Sequence, residues 1–186
     1  MAPRYDLPKA APEPLRLIQR FVNTVDRQHN REWLASPSDL ADWLDQAGLG
    51  LTKPTRADLL RAHELRDALR SLLAANNGAA LEGDAVATVN RSGSAAQLTV
   101  ELDQRGQLRF DVNGRDVDAA LGRIVAVAFS ALTDGAWLRL KPCRNCNWAF
   151  YDYSRNRSAK WCAMAICGNR RKSREYRRRR RGSSQA

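Results

Sequence analysis

The first 142 residues of this chain contain no cysteine; all four cysteines fall between positions 143 and 167. Histidine is almost missing too, with only His29 and His63. Each sits on or beside a helical stretch without a cysteine or a carboxylate pair nearby, which reads as a solvated or capping role rather than catalysis. There is no phosphate-cradling glycine loop and no Gly-x-Ser-x-Gly turn, so no enzymatic activity is expected. No apolar run approaches the roughly 18 residues of a membrane helix, and no membrane partner is expected. The opening Met-Ala-Pro-Arg-Tyr-Asp lacks the apolar core of a secretory signal. The expected setting is therefore the reducing cytoplasm, where clustered cysteines are more often metal ligands than disulfides. No internal repeat is present.

Acidic residues are scarce at one end only. Residues 1–138 carry 16 Lys+Arg and 18 Asp+Glu, a balance of −2. Residues 139–186 carry 15 Lys+Arg against Asp152 and Glu175 alone, a balance of +13. A basic segment beside a nearly neutral one is an electrostatic footprint for a polyanion, although a block of like charge can also be a solubilising tail. The adjoining cysteines favour the first reading. Arginine outnumbers lysine 26 to 5, but 14 of those arginines precede position 139. That preference belongs to the whole chain and carries no functional weight.

Residues 1–13, with Pro3, Pro8 and Pro12, read as an extended or mobile arm. A first helix is expected from about Pro14, with Leu17, Ile18, Phe21, Val22 and Val25 on one face. Ser36-Pro37-x-Asp39 signals the start of a second helix, which Gly48 and Gly50 end. Thr55-x-x-Asp58 opens a third, whose stripe of Leu59, Ala62, Leu65, Leu69, Leu72 and Leu73 runs to Asn76-Asn77-Gly78. A short helix over roughly 80–90 follows. Alternation at Leu98, Val100 and Leu102, then at Leu108, Phe110 and Val112, predicts a hairpin with one buried face. Asp116 or Asp118 caps a last helix bearing Leu121, Ile124, Val125, Ala128, Phe129 and Leu132, which Gly135 stops. The fold class is thus mainly α with a β-hairpin (α+β) over residues 14–138. Behind it come a small zinc-ribbon-like or treble-clef-like module with a basic helix, 139–181, and a disordered tail, 182–186.

Cys143-x-x-Cys146 has the spacing of a knuckle that turns two thiolates toward one metal. Cys162 and Cys167 lie five apart and would diverge by about 140° on one helix. They are therefore expected at the end of an extended segment and at a turn, with Gly168 closing that turn through a positive φ. Four thiolates suit one structural zinc ion with no open position for a substrate water. The alternatives are two disulfides, buried free thiols, or iron on the same ligands. Trp148, Phe150 and Trp161 read either as stacking platforms or as a miniature core over the metal, with the core favoured for Phe150 and Trp161. Arg155, Arg157 and Lys160 are candidates for phosphate contact. So are Lys172 and the stripe Arg170, Arg171, Arg174, Arg177, Arg178 and Arg181, at helical spacing on one side of a helix running to about Arg180, with the arginines at 177–181 ordered on binding. Asn23, Thr24, Arg66 and Arg70 are polar residues on otherwise apolar helices. They could converge on a small-molecule pocket, or could be surface or core-satisfying groups.

Cys143-x-x-Cys146, Phe150-Tyr-Asp152-x-Ser154-Arg155-Asn156 and Lys160-Trp161-Cys162-x-Met164-x-x-Cys167-Gly168-Asn169-Arg170 together resemble the CGNR zinc finger. Phe21-Val-Asn-Thr-Val-Asp26 and Glu64-Leu-Arg-Asp-Ala-Leu-Arg70 resemble the ABATE domain that precedes this finger. The resemblance implies a bacterial transcription regulator that binds nucleic acid through its zinc-dependent end, DNA in preference to RNA. It implies a regulatory or ligand-binding role for the first domain, and Cys143, Cys146, Cys162 and Cys167 as zinc ligands. Ala159-Lys160 stands where the family often has two arginines. An RNA-binding protein and an adaptor that contacts the transcription machinery are the competing expectations.

Overall fold

Two of the helices begin where the capping pattern places them. In the computed structural model, which describes Tyr5, residues 9–50, 53–169 and Ser173, Ser36 and Asp39 form a reciprocal capping box at the start of α2 (Pro37–Gln46). Thr55 and Asp58 form another at α3 (Arg56–Ala75). Each box satisfies orphan amides of a first helical turn. α1 is Arg16–Val22, α4 is Gly83–Ala95 and α5 is Val117–Thr133, capped by the Asp116 carboxylate on the Ala119 amide at 2.8 Å. The apolar stripes of α1, α2, α3 and α5 meet in one core around Ile18, Phe21, Leu40, Leu44, Leu65, Leu69, Leu73 and Ile124. α5 comes close to the end of α4 at Gly122, where a Cβ would stand 2.2 Å from that of Ala96. Among the described residues no helix is long and apolar enough to cross a membrane.

Several expectations are corrected. The first helix stops at Val22, and Val25 instead joins a two-residue strand, β1 (Val25–Asp26), paired with β2 (Arg31–Glu32). The helix ends because the Thr24 hydroxyl takes the Phe21 carbonyl (2.7 Å) and the side chain of Asn23 is drawn elsewhere. α4 runs five residues past the expected end. β3 (Thr99–Leu102) and β4 (Leu108–Asp111) do form the hairpin, with Val100 opposite Phe110 and Leu102 opposite Leu108. Its apolar face, however, is not buried: Val100, Leu102 and Leu108 are 57%, 70% and 52% exposed. Only the base of the hairpin, at Leu98 and Val112, reaches Ala96 and Ala119, and Phe110 rests edge-on against Phe129.

The arm is docked rather than mobile where it is described. Ala11 is buried in the main core. The Lys9 carbonyl accepts from the Tyr151 amide (3.0 Å), and the Ala10 carbonyl accepts from the Tyr153 hydroxyl (2.7 Å).

After a short 3-10 turn (Ala136–Arg139), β5 (Leu140–Pro142) and β6 (Ala149–Tyr151) form an antiparallel pair, with Leu140 opposite Tyr151 and Lys141 opposite Phe150. Strand side chains alternate between faces. Leu140, Ala149 and Tyr151 enter the main core, while Phe150 enters a second core with Cys143, Cys162 and Cys167. The hairpin that follows the boundary expected at position 138 therefore contributes to both cores.

Candidate metal centre and its attachment

The four cysteines come together as the spacing predicts. Cys143 follows β5, and Cys146 closes the knuckle. The Asn147 amide donates to the Cys143 carbonyl and the Cys143 amide to the Trp148 carbonyl, both at 2.9 Å. Asn147 takes φ 61°, a left-handed conformation that asparagine tolerates better than most residues. Cys162 precedes an extended Ala163 (φ −140°, ψ 123°), and Cys167 lies on a single π-helical turn, Met164–Gly168. The Cys167 amide closes that turn onto the Ala163 carbonyl at 2.9 Å. Gly168 has no positive φ; a Cβ there would meet Met164 Sδ at 2.4 Å, in a half-exposed side chain that can move aside, and Trp161 Cδ1 at 3.3 Å.

All four Sγ atoms lie within 4.8 Å of one another. Cys162 Sγ stands 3.7 Å from Cys146 Sγ and 3.6 Å from Cys167 Sγ. Thiolates bound at roughly 2.3 Å to one tetrahedral zinc are separated by roughly 3.8 Å, whereas a disulfide needs about 2.05 Å. The donor set and its spacing fit zinc. Cys143, Cys162 and Cys167 are buried and Cys146 is half-buried. Crowding splits the thiols: hydrogen bonds from Cys146 and Cys162 pull Cys143 well below the usual thiol range, and Cys143 in turn pushes Cys146 up to about 12 and Cys162 higher still. Four thiolates cannot form side by side without a cation to balance them, and zinc supplies that charge.

The same module holds a buried ion pair. Lys141 is 4% exposed and Asp152 0%. The Lys141 ammonium donates to Asp152 Oδ2 at 2.9 Å and to the Arg157 carbonyl. The carboxylate also accepts from the amides of Ser154 and Ala159, each at 2.9 Å. Burial pushes the Asp152 carboxyl up, but the hydrogen bonds from Ser154, Lys141 and Ala159 outweigh it and hold it at about 2. Arg139 fixes the same turn through the carbonyls of Asp152 (2.9 Å) and Ser154 (3.0 Å). The arm adds Lys9, whose ammonium lies 5.0 Å from the Phe150 ring centroid and donates to the Trp161 carbonyl at 3.2 Å.

The four pocket candidates have a different use. Asn23 clamps Ala149 of β6, taking its amide on Oδ1 (2.8 Å) and giving Nδ2 to its carbonyl (2.9 Å), as a neighbouring strand would. Arg70 donates to the Asn147 carbonyl in the knuckle (2.7 Å) and to the carbonyls of Val22 and Val25. Burial pushes its guanidinium down to about 10, so it stays charged at neutral pH. Arg66 pairs with Glu32 (2.7 Å) and reaches the Thr24 hydroxyl (3.3 Å). None of the four lines any of three surface cavities described by the structure. Asn23, Thr24 and Arg70 bond backbone groups, Arg66 bonds side chains, and Asn23 and Arg70 hold the zinc module to the helical domain. Replacing Arg70 with Met leaves those carbonyls short of donors. The expected cost is about 2–3 kcal/mol, read by urea unfolding, with zinc loss to a chelator speeding up in parallel.

Gln19, Asn76, Asn77, Arg139, Lys141 and Arg144 escaped the sequence reading. Gln19 is fully buried, gives Nε2 to the carbonyls of Lys9 (2.8 Å) and Ala149 (3.1 Å), and takes the Ala11 amide. The available signal was a polar residue inside the apolar stripe of α1. Asn76 and Asn77 read only as a helix stop, yet they bond the carbonyls of Trp137, Leu140 and Pro142.

Arg155, Arg157 and Lys160 are all exposed on the zinc module. Arg170, Arg171, Lys172, Arg174, Arg177, Arg178 and Arg181 lie outside the described residues, as does the tail 182–186. Of the basic helix expected after Cys167, Gly168, Asn169 and Ser173 are described; Gly168 ends the π-helical turn and the other two are helical.

A four-thiolate module built onto a helical domain defines a zinc-finger protein. Residues 15–135 match the ABATE family model, described as "Putative stress-induced transcription regulator", and residues 139–180 match the CGNR zinc finger. The chain belongs to the ABATE family and carries a CGNR zinc finger with one structural zinc ion. No curated protein matches it.

Proposed function

We propose that this protein is a non-enzymatic regulator that binds nucleic acid through its zinc module, duplex DNA in preference to RNA. The observation that carries the reading is the placement of charge: residues 139–186 hold a balance of +13, and most of it follows Cys167 directly. Folding around zinc fixes Cys167, three positions before that arginine-rich segment begins. Arg139, Lys141 and Arg144 are already bonded within the chain, to carbonyls and to Asp152, Arg144 doing so at the surface. Arg155, Arg157 and Lys160 are exposed and free to meet phosphates. His29 is held by Asp26 (2.7 Å) and His63 by the Leu34 carbonyl (2.8 Å), in keeping with structural roles.

Duplex DNA is favoured over single-stranded RNA because few aromatic faces remain for stacking. Phe150 is fully buried and Tyr151 nearly so. Trp148 packs against Trp33, and Trp161 lies on the zinc core. Tyr153 is 64% exposed, but its hydroxyl is tied to Ala10.

Fluorescence anisotropy with a duplex and with single-stranded RNA, at matched salt, tests the reading. If five or six phosphates are neutralised, log affinity should fall against log salt with a slope of about −5, roughly a thousandfold between 50 and 200 mM. The duplex should bind more tightly than the RNA. Equal affinity for any nucleic acid of any sequence would refute a regulator's role.

A further inference from the structure

A groove of about 410 Å³ opens where α3, α4, α5 and the 3-10 turn meet, lined by Leu72 and Asn76, Val89 and Asn90, Phe129, and Trp137. Its size falls within the range of small-molecule sites. Every residue that lines it is uncharged, although 27% of the chain is Asp, Glu, Lys or Arg. At its mouth Leu132 and Leu138 are 49% and 46% exposed, although Leu132 continues the apolar stripe of α5.

The polar end of the groove has a fixed sense. Asn76 Nδ2 donates to the carbonyls of both Trp137 and Leu140, each at 2.8 Å. Both amide hydrogens are thus spent, the side chain cannot be flipped, and Oδ1 is left as an acceptor without a donor among the described residues. That oxygen can accept from a donor on an occupant. The same residue leads to the metal: Leu140 begins β5, the Asn77 side chain donates to the Pro142 carbonyl (2.6 Å), and Cys143 comes next. Arg144, inside the knuckle, donates back to the Asn77 carbonyl at 2.8 Å.

We infer that this groove is a ligand site of the helical domain, for an uncharged, mainly apolar small molecule with one hydrogen-bond donor directed at Asn76 Oδ1. Occupancy is transmitted to the zinc knuckle through Asn76, Asn77 and β5. The inference rests on the regulatory reading of the first domain and gives it a place and a ligand class. The neutral lining selects against carboxylates and other anions, because no cation is there to meet them. Asn76 lines the recess formed by four elements of one chain, which suits a compact molecule better than a second copy of the protein.

The test uses the full, zinc-loaded chain and 2-naphthol as a fluorescent probe. The expected result is saturable binding of one probe per chain. Affinity should be several-fold weaker for naphthalene, which lacks the donor, and at least about tenfold weaker for 2-naphthoate, which adds a charge. Leu132→Arg and Leu138→Arg, both at half-exposed positions, should each weaken 2-naphthol by about tenfold or more while leaving the unfolding midpoint near that of the parent. Zinc transfer to a chelator should change at least about twofold with probe bound, and not in the blocked variants. Absence of saturable binding, binding indifferent to both arginine variants, or a dimer that closes the groove and excludes the probe would overturn the site. Normal probe binding with unchanged zinc transfer would overturn its coupling to the knuckle. Neither readout involves nucleic acid, so a failure of DNA binding alone would sink only the regulator reading.

Discussion

Replacing Cys162 with serine should reduce the zinc content from one ion per chain to a small fraction of that, and with it the order of the whole C-terminal module. Cys162 sits between Cys146 and Cys167, 3.7 Å and 3.6 Å from their sulfurs. A serine hydroxyl does not ionise near neutral pH and cannot complete the thiolate tetrahedron. The energy at stake is large, since structural zinc supplies on the order of 10–16 kcal/mol in small fingers. Among the described residues, the buried members of the metal-centred core are Phe150, Cys143, Cys162 and Cys167, so little else can hold it. The effect should also travel. Ala149 and Tyr151 of β6 belong to the main core, and release of the zinc side should lower the unfolding midpoint of the entire chain. Metal analysis and thermal unfolding of the purified variant check both statements. A variant that kept one tightly held zinc would contradict the ligand assignment.

The second large effect is expected at Asp152→Asn. The substitution keeps the shape but removes the charge that Lys141 faces in the interior, at 2.9 Å. Leaving a buried ammonium unpaired costs about 3–5 kcal/mol, or a fall in Tm of about 6–20 °C in a chain of this size. A double variant, Lys141→Met with Asp152→Asn, should recover only part of the loss. The carboxylate also holds the amides of Ser154 and Ala159, and a neutral amide accepts those bonds more weakly. The pH dependence has a definite sign. The carboxyl is held at about 2 in the folded protein and returns to about 3.9 when unfolded. Its contribution is therefore complete above pH about 4 and is lost as the pH falls toward 2. Acid titrations of parent and Asp152→Asn should converge over that window; parallel curves would show that the pair is not what the low pKa stabilises.

The elements that were legible in the sequence are those whose signals are local. Ser36-Pro37-x-Asp39 and Thr55-x-x-Asp58 place two helix starts because a capping box is made within four residues. The cysteine spacing identifies the metal ligands, and the five-residue step from Cys162 to Cys167 foretells a turn because geometry forbids a shared helix face. What stayed hidden depends on distant partners. Alternation at Val100, Leu102 and Leu108 marks a strand face but cannot say whether anything covers it. Asn23 and Arg70 stand out as polar residues on apolar helices, yet their partners, Ala149 and Asn147, lie 126 and 77 positions away. Read without those partners, they suggest a pocket; with them, they form the attachment of the zinc module. The fully buried Gln19 and the pair Asn76 and Asn77 belong to the same class. β6 is the clearest case: in three residues it serves two cores by alternation, and nothing local announces the second.

In the proposed function, zinc organises the surface that would meet nucleic acid. The most direct test of this role is to remove zinc from the full chain with a chelator, return it stepwise, and follow duplex DNA binding by anisotropy at fixed salt. The account predicts that tight binding rises in step with bound zinc and levels off at one ion per chain. Binding by the zinc-free chain at full affinity would contradict it, and would assign the interaction to the arginine-rich segment alone.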